Sequence, residues 1–429
     1  MTRRTLQLLL LAVFSSSGAL AQINCASGPA STKLACEFPF ATGVLTNAQA
    51  TGNQSLTAQQ VAESLNIAIA TQVSQLPLAS ASAGTVEVYR AGVPQTFDNL
   101  GPILTDRAST IGKHSFFIGF TASQFVFTDI DGKSLNSLPF TYVRPTTNSS
   151  GVVTSNTYTN ETTRANLKVD QFVGVATFGV TNRIDISAIV PWEYVSFGNT
   201  TSNSINYTTD PSNNILFQTP PSTTYFPGTS YGIGDVTFNI KRAMWTGEHA
   251  TVAAEFNLRT PTGDDVNLLG SGAYGFNPFV VYSYLWKVSP HAKIGYQWNT
   301  KSELNNPTLQ HGGNLALPGG LQYDLGADWA LAKRLTVAGD ILGNQFLNTP
   351  KIVIPTTATE TLTKTGSSTT VPLYTTTTEN SSYTLNNFSA GLKIALFRNL
   401  VVSGNMLVQL NNNGLRSRPT PLVGISYKF

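Results

Sequence analysis

The residues that could do chemistry in this sequence are chiefly charged side chains that recur at alternate positions. Only 11% of the 429 residues are charged, whereas about a quarter are charged in soluble globular proteins. Because successive side chains of a strand point to opposite faces, this spacing collects acids and bases on one face. Such a face could contact a solute or neutralise itself through salt bridges, and its mixed signs argue against a strongly ion-selective ring. The candidate residues are Lys168, Asp170, Arg183, Asp185, Glu193, Asp235, Lys241, Glu255, Arg259, Lys293, Asp324, Asp328 and Asp340.

Nucleophilic catalysis is the least favoured chemistry for this chain. Residues 228–232 read Gly-Thr-Ser-Tyr-Gly, but a nucleophile elbow needs a strand before the serine and a helix after it. Here a loop precedes the serine and a strand is predicted to follow. His114 and Ser115 are sequence neighbours, so a strand would point them to opposite faces. We therefore expect no enzyme and no cofactor, and a barrel hydrolase remains only a distant alternative.

Cys25 and Cys36 are the two cysteines of the chain. In an oxidising compartment, two nearby thiols most simply form one local disulfide, which is our prediction. Zinc binding is the rival interpretation, but two sulfurs without a neighbouring His or Asp cluster make a poor zinc site. We therefore expect no metal.

The N-terminus has the order of a secretory signal. Arg3 and Arg4 precede an apolar run over residues 6–14, and small residues lead to Ala19-Leu20-Ala21. The run is too short to span a bilayer. We predict a signal peptide over residues 1–21, cleaved after export by the Sec route.

From residue 113 onward, apolar and polar residues alternate in segments of about ten. In segment 251–259, for example, Val252, Phe256 and Leu258 share one face and Glu255 and Arg259 share the other. Long polar connections alternate with tight turns, which is typical of outer-membrane barrels. The sequence predicts an all-β, transmembrane, antiparallel up-and-down β-barrel over 113–429. About twelve strands fit, with ten or fourteen still possible, and the candidate charged residues would line its lumen.

Aromatic residues support the membrane interpretation. Trp245, Trp286 and Trp329 lie beside predicted short turns, and the other two tryptophans lie nearer the opposite strand ends, as at two membrane interfaces. Ordinary buried core tryptophans are the alternative. The last strand alternates and ends on aromatic residues, so Tyr427 and Phe429 are predicted to be the signal for the barrel-assembly machinery.

Residues 22–112 form a different region. A helix is predicted near 57–76, because Thr57 and Gln60 form a capping box and Pro77 ends the apolar periodicity. A one-sided helix must pack against something. We expect this segment to enter the barrel as a plug, with docking at the periplasmic mouth as the alternative, and a small hairpin to follow over 84–97. The Thr-, Ser- and Asn-rich stretches 146–163, 199–224 and 356–382 are predicted to be solvated extracellular loops.

Three short stretches carry a family resemblance: residues 100–113 (LGPILTDRASTIGK), 232–235 (GIGD) and 259–264 (RTPTGD). They resemble the outer-membrane barrels of the phenol-degradation (meta-pathway) family, which are related in kind to fatty-acid and aromatic-hydrocarbon channels. The resemblance implies uptake of hydrophobic small molecules, through a lateral opening after capture by the extracellular loops. Its motifs are turn and strand-end signatures and carry no chemistry of their own.

The function predicted from the sequence is therefore a channel in the outer membrane of a Gram-negative-type bacterium, for passive uptake of small hydrophobic or aromatic molecules. The expected partners are outer-membrane lipid, the assembly machinery and a small-molecule solute, with the oligomeric state left open. Few charges and a net charge of +3 exclude a nucleic-acid binder. A structural or adhesive barrel with a filled lumen is the alternative.

Overall fold

Twelve long strands form one closed antiparallel sheet in the computed structural model, which describes residues 33–36, 38, 64–73, 87–90, 93–96, 99–305, 315–353, 358–374, 377–397 and 399–429. The strands are β1 (Phe116–Ile130), β2 (Val153–Thr181), β3 (Ile184–Asn203), β4 (Thr237–Thr246), β5 (Ala250–Arg259), β6 (Gly275–Tyr284), β7 (Val288–Asn299), β8 (Gly320–Ala332), β9 (Leu335–Val353), β10 (Thr377–Ala395), β11 (Leu400–Gln409) and β12 (Thr420–Lys428).

Each strand pairs with the next in sequence, and β12 pairs with β1 from Leu422↔Ser123 to Lys428↔Phe117. The seam removes both sheet edges, which would otherwise expose unpaired backbone groups. The predicted all-β barrel of twelve strands is confirmed. Alternation sets the faces: in β5, Thr251 and Glu255 are buried inside while Phe256 is exposed outside.

The outer face of the barrel is apolar. Large exposed side chains follow one another along the strands, including Phe172, Ile240, Val280 and Leu325. All five tryptophans are among them, each 47–57% exposed. Three of these indoles lie beside the tight turns and two lie toward the other end, as predicted for interfacial anchors, and the core-tryptophan alternative is wrong.

Two kinds of connection define the two ends of the barrel. At the tight-turn end, β2–β3, β4–β5, β6–β7, β8–β9 and β10–β11 are joined by two to four residues. The other connections form the long-loop end, where strands continue above the barrel and add hairpins. These are Lys133–Ser134, Leu138–Thr147, Asn206–Thr209, Ile215–Thr219, Ser222–Phe226, Thr229–Ile233, Lys301–Ser302, Leu315–Ala316, Ala358–Lys364, Ser367–Leu373 and Leu415–Ser417.

The three polar stretches predicted to be solvated extracellular loops consist largely of paired strands, so their assignment as loops is wrong, although much of their surface is exposed. Ser222–Phe226 pairs with the upper part of β3, and Ala358–Lys364 pairs with Ser367–Leu373. Threonine is a strong strand former, and cross-strand threonine pairs stabilise a sheet without apolar periodicity. Exposed polar hairpins consequently escape a search for apolar patterns.

The N-terminal region contributes a 3₁₀ turn at Leu34–Cys36, a helix over 64–72 and a hairpin of Glu87–Arg90 with Val93–Thr96. The helix and the hairpin fall where they were predicted. Val73 ends the helix in a 3₁₀ conformation, and residues 57–63 and 74–76 of the predicted helix lie outside the described residues. The predicted signal segment, residues 1–21, also lies outside them. No helix in the described part of the chain is long and apolar enough to cross a membrane.

Candidate functional site

Residues 99–112, here called the strap, run from the small hairpin into β1 and occupy the lumen at the tight-turn end. Strap backbone and side-chain atoms hydrogen-bond to the inner face of seven strands. These partners are Asp185 on β3, Lys241 on β4, Ser283 on β6, Ser289 on β7, Asp328 on β8, Thr336 and Asp340 on β9, and Lys393 on β10. A segment that contacts so many strands at once must lie inside the barrel.

Arg107 is the central cation of the strap, and it is only 1% exposed. Its Nη2 lies 3.1 Å from Oδ2 of Asp328 and donates to the carbonyl and side-chain oxygens of Asn99. Gly101, at φ +84°, lies directly against the guanidinium, and a Cβ there would be 2.9 Å from the Arg107 Cζ. Only glycine gives both this backbone conformation and this clearance.

His291 on β7 lies between two aspartates beneath the strap. Its Nε2 is 2.8 Å from Asp340 Oδ1 and its Nδ1 is 3.2 Å from Asp328 Oδ1. Gly326 provides the space, because a Cβ there would come within 2.6 Å of the imidazole Nε2. Thr105 of the strap donates to the same Asp340 oxygen. The imidazole thus joins the two wall aspartates that Arg107 and Thr105 of the strap also contact.

Lys293 makes the second ionic link. Its ammonium lies 3.1 Å from Asp106 of the strap and 2.9 Å from Glu255 on β5, and it sits 4.3 Å from the centre of the Phe279 ring. Two carboxylates and an aromatic face compensate the cost of removing this ammonium from water.

Two further lysines hold the strap by its backbone. Lys241 donates to the carbonyl of Arg107, and Lys393 donates to the carbonyls of Leu100 and Pro102. Each of the charged side chains described above has a partner. Together these side chains hold the strap against the barrel wall.

The helix over 64–72 occupies the lumen at the long-loop end. Its Gln72 bridges the Tyr383 hydroxyl of β10 and the backbone N–H of Leu415. Its apolar residues belong to a core with the 3₁₀ turn, β1, β2, β3 and the loop after β5. The main members are Phe38, Leu65, Ile69, Val73, Phe125, Phe127, Leu167, Val169, Val195, Phe197, Leu268 and Leu269.

Above the barrel wall, Asp131 fastens the loop that follows β1. Its carboxylate accepts the backbone N–H groups of Ile352 and Gly414. Burial raises the pKa of Asp131 above its ordinary value, although these hydrogen bonds oppose the shift. The long-loop end is thus fastened to the same segment that contacts Gln72.

A cavity of about 230 Å³ lies between the strap and the helix, bounded by Leu104 and Asp106 on one side and by Gln72 on the other. Part of its wall is apolar, with Phe125, Phe127, Phe279, Leu342, Phe346, Leu385, Leu407 and Leu415. The remainder includes an amide belt, one residue from each of seven strands: Asn239, Asn257, Asn277, Gln322, Asn344, Asn387 and Gln409.

Most of the amide belt is engaged across strands. Asn239 donates to Asn257 at 2.5 Å, and Asn277 donates to Gln322 at 3.1 Å. Asn387 accepts from Arg416. The cavity is therefore amphipathic, because neutral amides and charged side chains line it together with rings and leucines, often from the same strand.

The structure places most of the predicted lumen-lining residues on the inner face. Those that are buried there are Asp185, Glu193, Asp235, Lys241, Glu255, Arg259, Lys293, Asp328 and Asp340. Asp324 is half-buried and lines the cavity. Glu193, Asp235 and Arg259 are not bonded to the strap in these contacts. Glu193 accepts a hydrogen bond from Gln171, and Asp235 accepts one from the Ser271 hydroxyl and lies 3.6 Å from Arg259.

Three predicted positions are corrected. Lys168 and Asp170 lie on the outer face of β2, 3.0 Å apart and partly exposed, and Arg183 is exposed in the β2–β3 turn. The intervening positions Leu167 and Val169 point inward because the helix makes this part of the lumen apolar. The rule that polar faces point inward therefore reverses at this height of the barrel.

Arg107, His291 and Lys393 were missed as site residues. The alternation of the strands could have identified two of them. His291 lies two positions from Lys293 and so shares the inward face that was assigned to Lys293. Lys393 lies between the outward-facing Leu392 and Ile394 and so also points inward. Arg107 lies outside any alternating segment, so only the family motif drew attention to it.

The predicted disulfide is described at one end only. Cys36 is buried and disulfide-bonded, while Cys25 lies outside the described residues. Tyr427 and Phe429, the predicted assembly signal, stack on each other at the outer face with their ring centres 4.7 Å apart. Their role in assembly stays a prediction.

Residues 143–349 match the model of a protein family described as "Putative MetA-pathway of phenol degradation". The predicted family resemblance is confirmed. The matched stretch runs from the hairpin above β1 through β8 into β9. It includes the two shorter motifs, whereas the strap precedes it.

Solved structures of similar fold are outer-membrane proteins of low sequence identity. An outer-membrane channel from Pseudomonas putida F1 is 11% identical, with a TM-score of 0.43 over 75% of this chain and 98% of that one. The CymD monoaromatic hydrocarbon channel is 9% identical, with a TM-score of 0.31 over 74% and 88%. A Pseudomonas aeruginosa FadL homologue is 9% identical, with a TM-score of 0.28 over 73% and 88%. No curated protein matches the sequence.

Proposed function

We propose that this protein is an outer-membrane channel for passive uptake of small hydrophobic or aromatic molecules, with the strap acting as its plug. The observation that carries the proposal is an amphipathic cavity between two luminal segments of a barrel whose outer face is apolar. A barrel whose only role is structural has no need of such a cavity. The family match supports the same class of function.

The proposal includes export by a cleaved signal at residues 1–21 and insertion by the barrel-assembly machinery. It assigns no catalysis. Among the described histidines, His291 is held by two carboxylates rather than by a hydroxyl nucleophile. Ser230 lies within the strand Thr229–Ile233, paired with Val195, so the helix that a nucleophile elbow requires does not follow it.

The test uses a tether between strap and wall. The backbone N–H of Ala108 lies 2.9 Å from the Ser283 hydroxyl, so the double variant Ala108→Cys, Ser283→Cys places two thiols side by side. Initial uptake of radiolabelled toluene would be measured in intact Gram-negative cells that make the full chain. Uptake should exceed that of cells lacking the protein, fall in the oxidised double variant, and recover after reduction.

The single variant Ala108→Cys and the reduced wild-type protein are the matched controls, the latter because reduction also opens the disulfide of Cys36. A filled structural barrel is the second candidate, favoured by the buried ion pairs of Arg107 and Lys293. Toluene uptake no faster than in cells without the protein would reject the channel and support that alternative.

A further inference from the structure

Two polar side chains on neighbouring strands of the cavity wall, an acid and an amide, are not hydrogen-bonded within the described part of the chain. Within the described chain, Asp324 and Asn344 have no hydrogen bond or ion pair through their side chains, whereas neighbouring lining groups are engaged. Lys293, the nearest ammonium along the pairing register, is already taken by Asp106 and Glu255. Polar groups in a partly desolvated lumen normally find partners.

These two side chains lie next to each other. Asp324 on β8 faces Leu342 on β9, and Asn344 is two positions further along β9 on the same face. Diagonal neighbours of this kind are roughly 7–8 Å apart at the backbone, within reach of one small polar group held between them.

An apolar wall begins immediately beside this polar pair. Leu342 is the register partner of Asp324, Leu385 is the register partner of Asn344, and Phe346 lies two positions beyond Asn344 on β9. All three apolar side chains line the same cavity. A cavity of about 150 Å³ is enough to bind benzene, and this one is about 230 Å³. The space thus fits one ring with a short polar substituent.

The charges around the cavity select the polarity of that substituent. Asp324 can only accept when ionised. The cations that line the cavity, Arg259, Lys293 and Arg416, are already bonded to protein groups, so the charge left to meet a solute is the carboxylate of Asp324. A carboxylate solute would meet like charges, and a hydrocarbon would desolvate Asp324 and Asn344 without replacing their water. A hydroxyl or amino group satisfies both.

Resting on the proposed function, we infer that the cavity is a binding site for single-ring apolar molecules carrying a hydrogen-bond-donating hydroxyl or amino group, recognised by Asp324 and Asn344. The site therefore discriminates between an aromatic alcohol and the corresponding hydrocarbon. The apolar wall contributes affinity for the alcohol and for the hydrocarbon, and Asp324 and Asn344 make the affinity for the alcohol higher.

The experiment measures binding by calorimetry to the purified full chain in lipid nanodiscs, with empty nanodiscs subtracted. The ligands are benzyl alcohol, benzylamine, toluene and benzoate. We expect benzyl alcohol and benzylamine to bind about tenfold more tightly than toluene, the ratio for one hydrogen bond to a charged acceptor, and benzoate to bind most weakly. Equal affinities for benzyl alcohol and toluene would overturn the inference.

Variants of Asp324 and Asn344 test whether these residues cause the preference for benzyl alcohol over toluene. Asp324→Leu should remove the tenfold preference and raise toluene affinity, because toluene no longer desolvates a carboxylate, and Asn344→Leu should weaken benzyl alcohol binding about threefold. Asp170→Asn, on the outer face, is the matched control and should change nothing. A preference that survives Asp324→Leu would also overturn the inference.

If Asp324→Leu does not fold, as judged by loss of resistance to unfolding in SDS, the isosteric Asp324→Asn replaces it. That variant should lose affinity for benzylamine by about tenfold and retain most of the affinity for benzyl alcohol, and unchanged benzylamine affinity would count against the site. Toluene uptake without a binding preference would reject this site and leave the channel. A binding preference without uptake would do the reverse.

Discussion

At the tight-turn end the strap is held by charged side chains, whereas at the long-loop end the helix over 64–72 packs through apolar ones. Arg107 and Lys293 reach carboxylates on different strands, while Leu65 and Ile69 belong to a contiguous apolar core. Both segments fill the lumen, but the first depends on a few buried charges with exact partners. Removing one partner of a buried ion pair in the strap leaves an uncompensated charge. Shortening an apolar side chain of the helix instead lowers the free energy of unfolding in proportion to the volume removed.

The largest effect is expected from Arg107→Met. The change leaves Asp328 buried without its guanidinium partner, at a cost of about 3–5 kcal/mol. The strap should leave the wall, so single-channel conductance of the full chain in a planar bilayer should rise. The protein should also unfold at lower urea. An unchanged conductance together with an unchanged urea midpoint would show that Arg107 does not hold the strap.

Leu65→Ala tests the apolar end and should cost about 2–4 kcal/mol, because a fully buried leucine leaves a cavity in the core. The urea midpoint should fall while the conductance stays at the wild-type level, since the strap keeps all its ionic partners. A conductance rise equal to that of Arg107→Met would mean that the two ends are not independent seals.

Gly101→Ala should cost about 2 kcal/mol, since it combines a left-handed backbone with a Cβ 2.9 Å from the Arg107 guanidinium. Gly366→Ala is its matched control, because Gly366 has φ +81° with open space around the Cβ position. The difference between the two urea midpoints isolates the packing against Arg107. Equal midpoints would assign the whole effect to backbone strain.

The smallest effect is expected from Lys168→Met, at most about 1 kcal/mol, because the pair with Asp170 is partly exposed. Salt should reduce that contribution further, whereas the effect of Arg107→Met should persist at 1 M salt because buried pairs are screened much less. Urea titrations at low and high salt make the comparison. A larger salt dependence for Arg107→Met would place the strap in contact with solvent.

Much of the barrel could be predicted because its strands obey a local rule, the alternation of lipid-facing and inward-facing side chains. Twelve strands, the tryptophan positions and the order of tight turns and long loops all follow from it. The rule failed at Lys168 and Asp170, where the helix reverses the polarity of the lumen. That reversal depends on a segment about 100 residues away in sequence, which no local pattern contains.

The candidate site was less predictable for the same reason. Inward parity identified Asp328, Asp340 and Lys293 as candidates, but nothing in their spacing says that a strap bonds them. The pairing of Arg107 with Asp328 joins residues 221 positions apart. The roles of Gly101 and Gly326 could not be predicted from the sequence either, because each glycine acts only through the space that it leaves for a side chain distant in sequence.

The seam between β1 and β12 constrains the order of assembly. The strap leads directly into β1, and its partners extend from Asp185 to Lys393, so they belong to strands made early and late in synthesis. Once the last strand joins the first, the wall has no edge through which a preceding segment could enter sideways. A strap that enters sideways must therefore be in place before the seam forms, and after closure only the two ends of the barrel remain as routes for it.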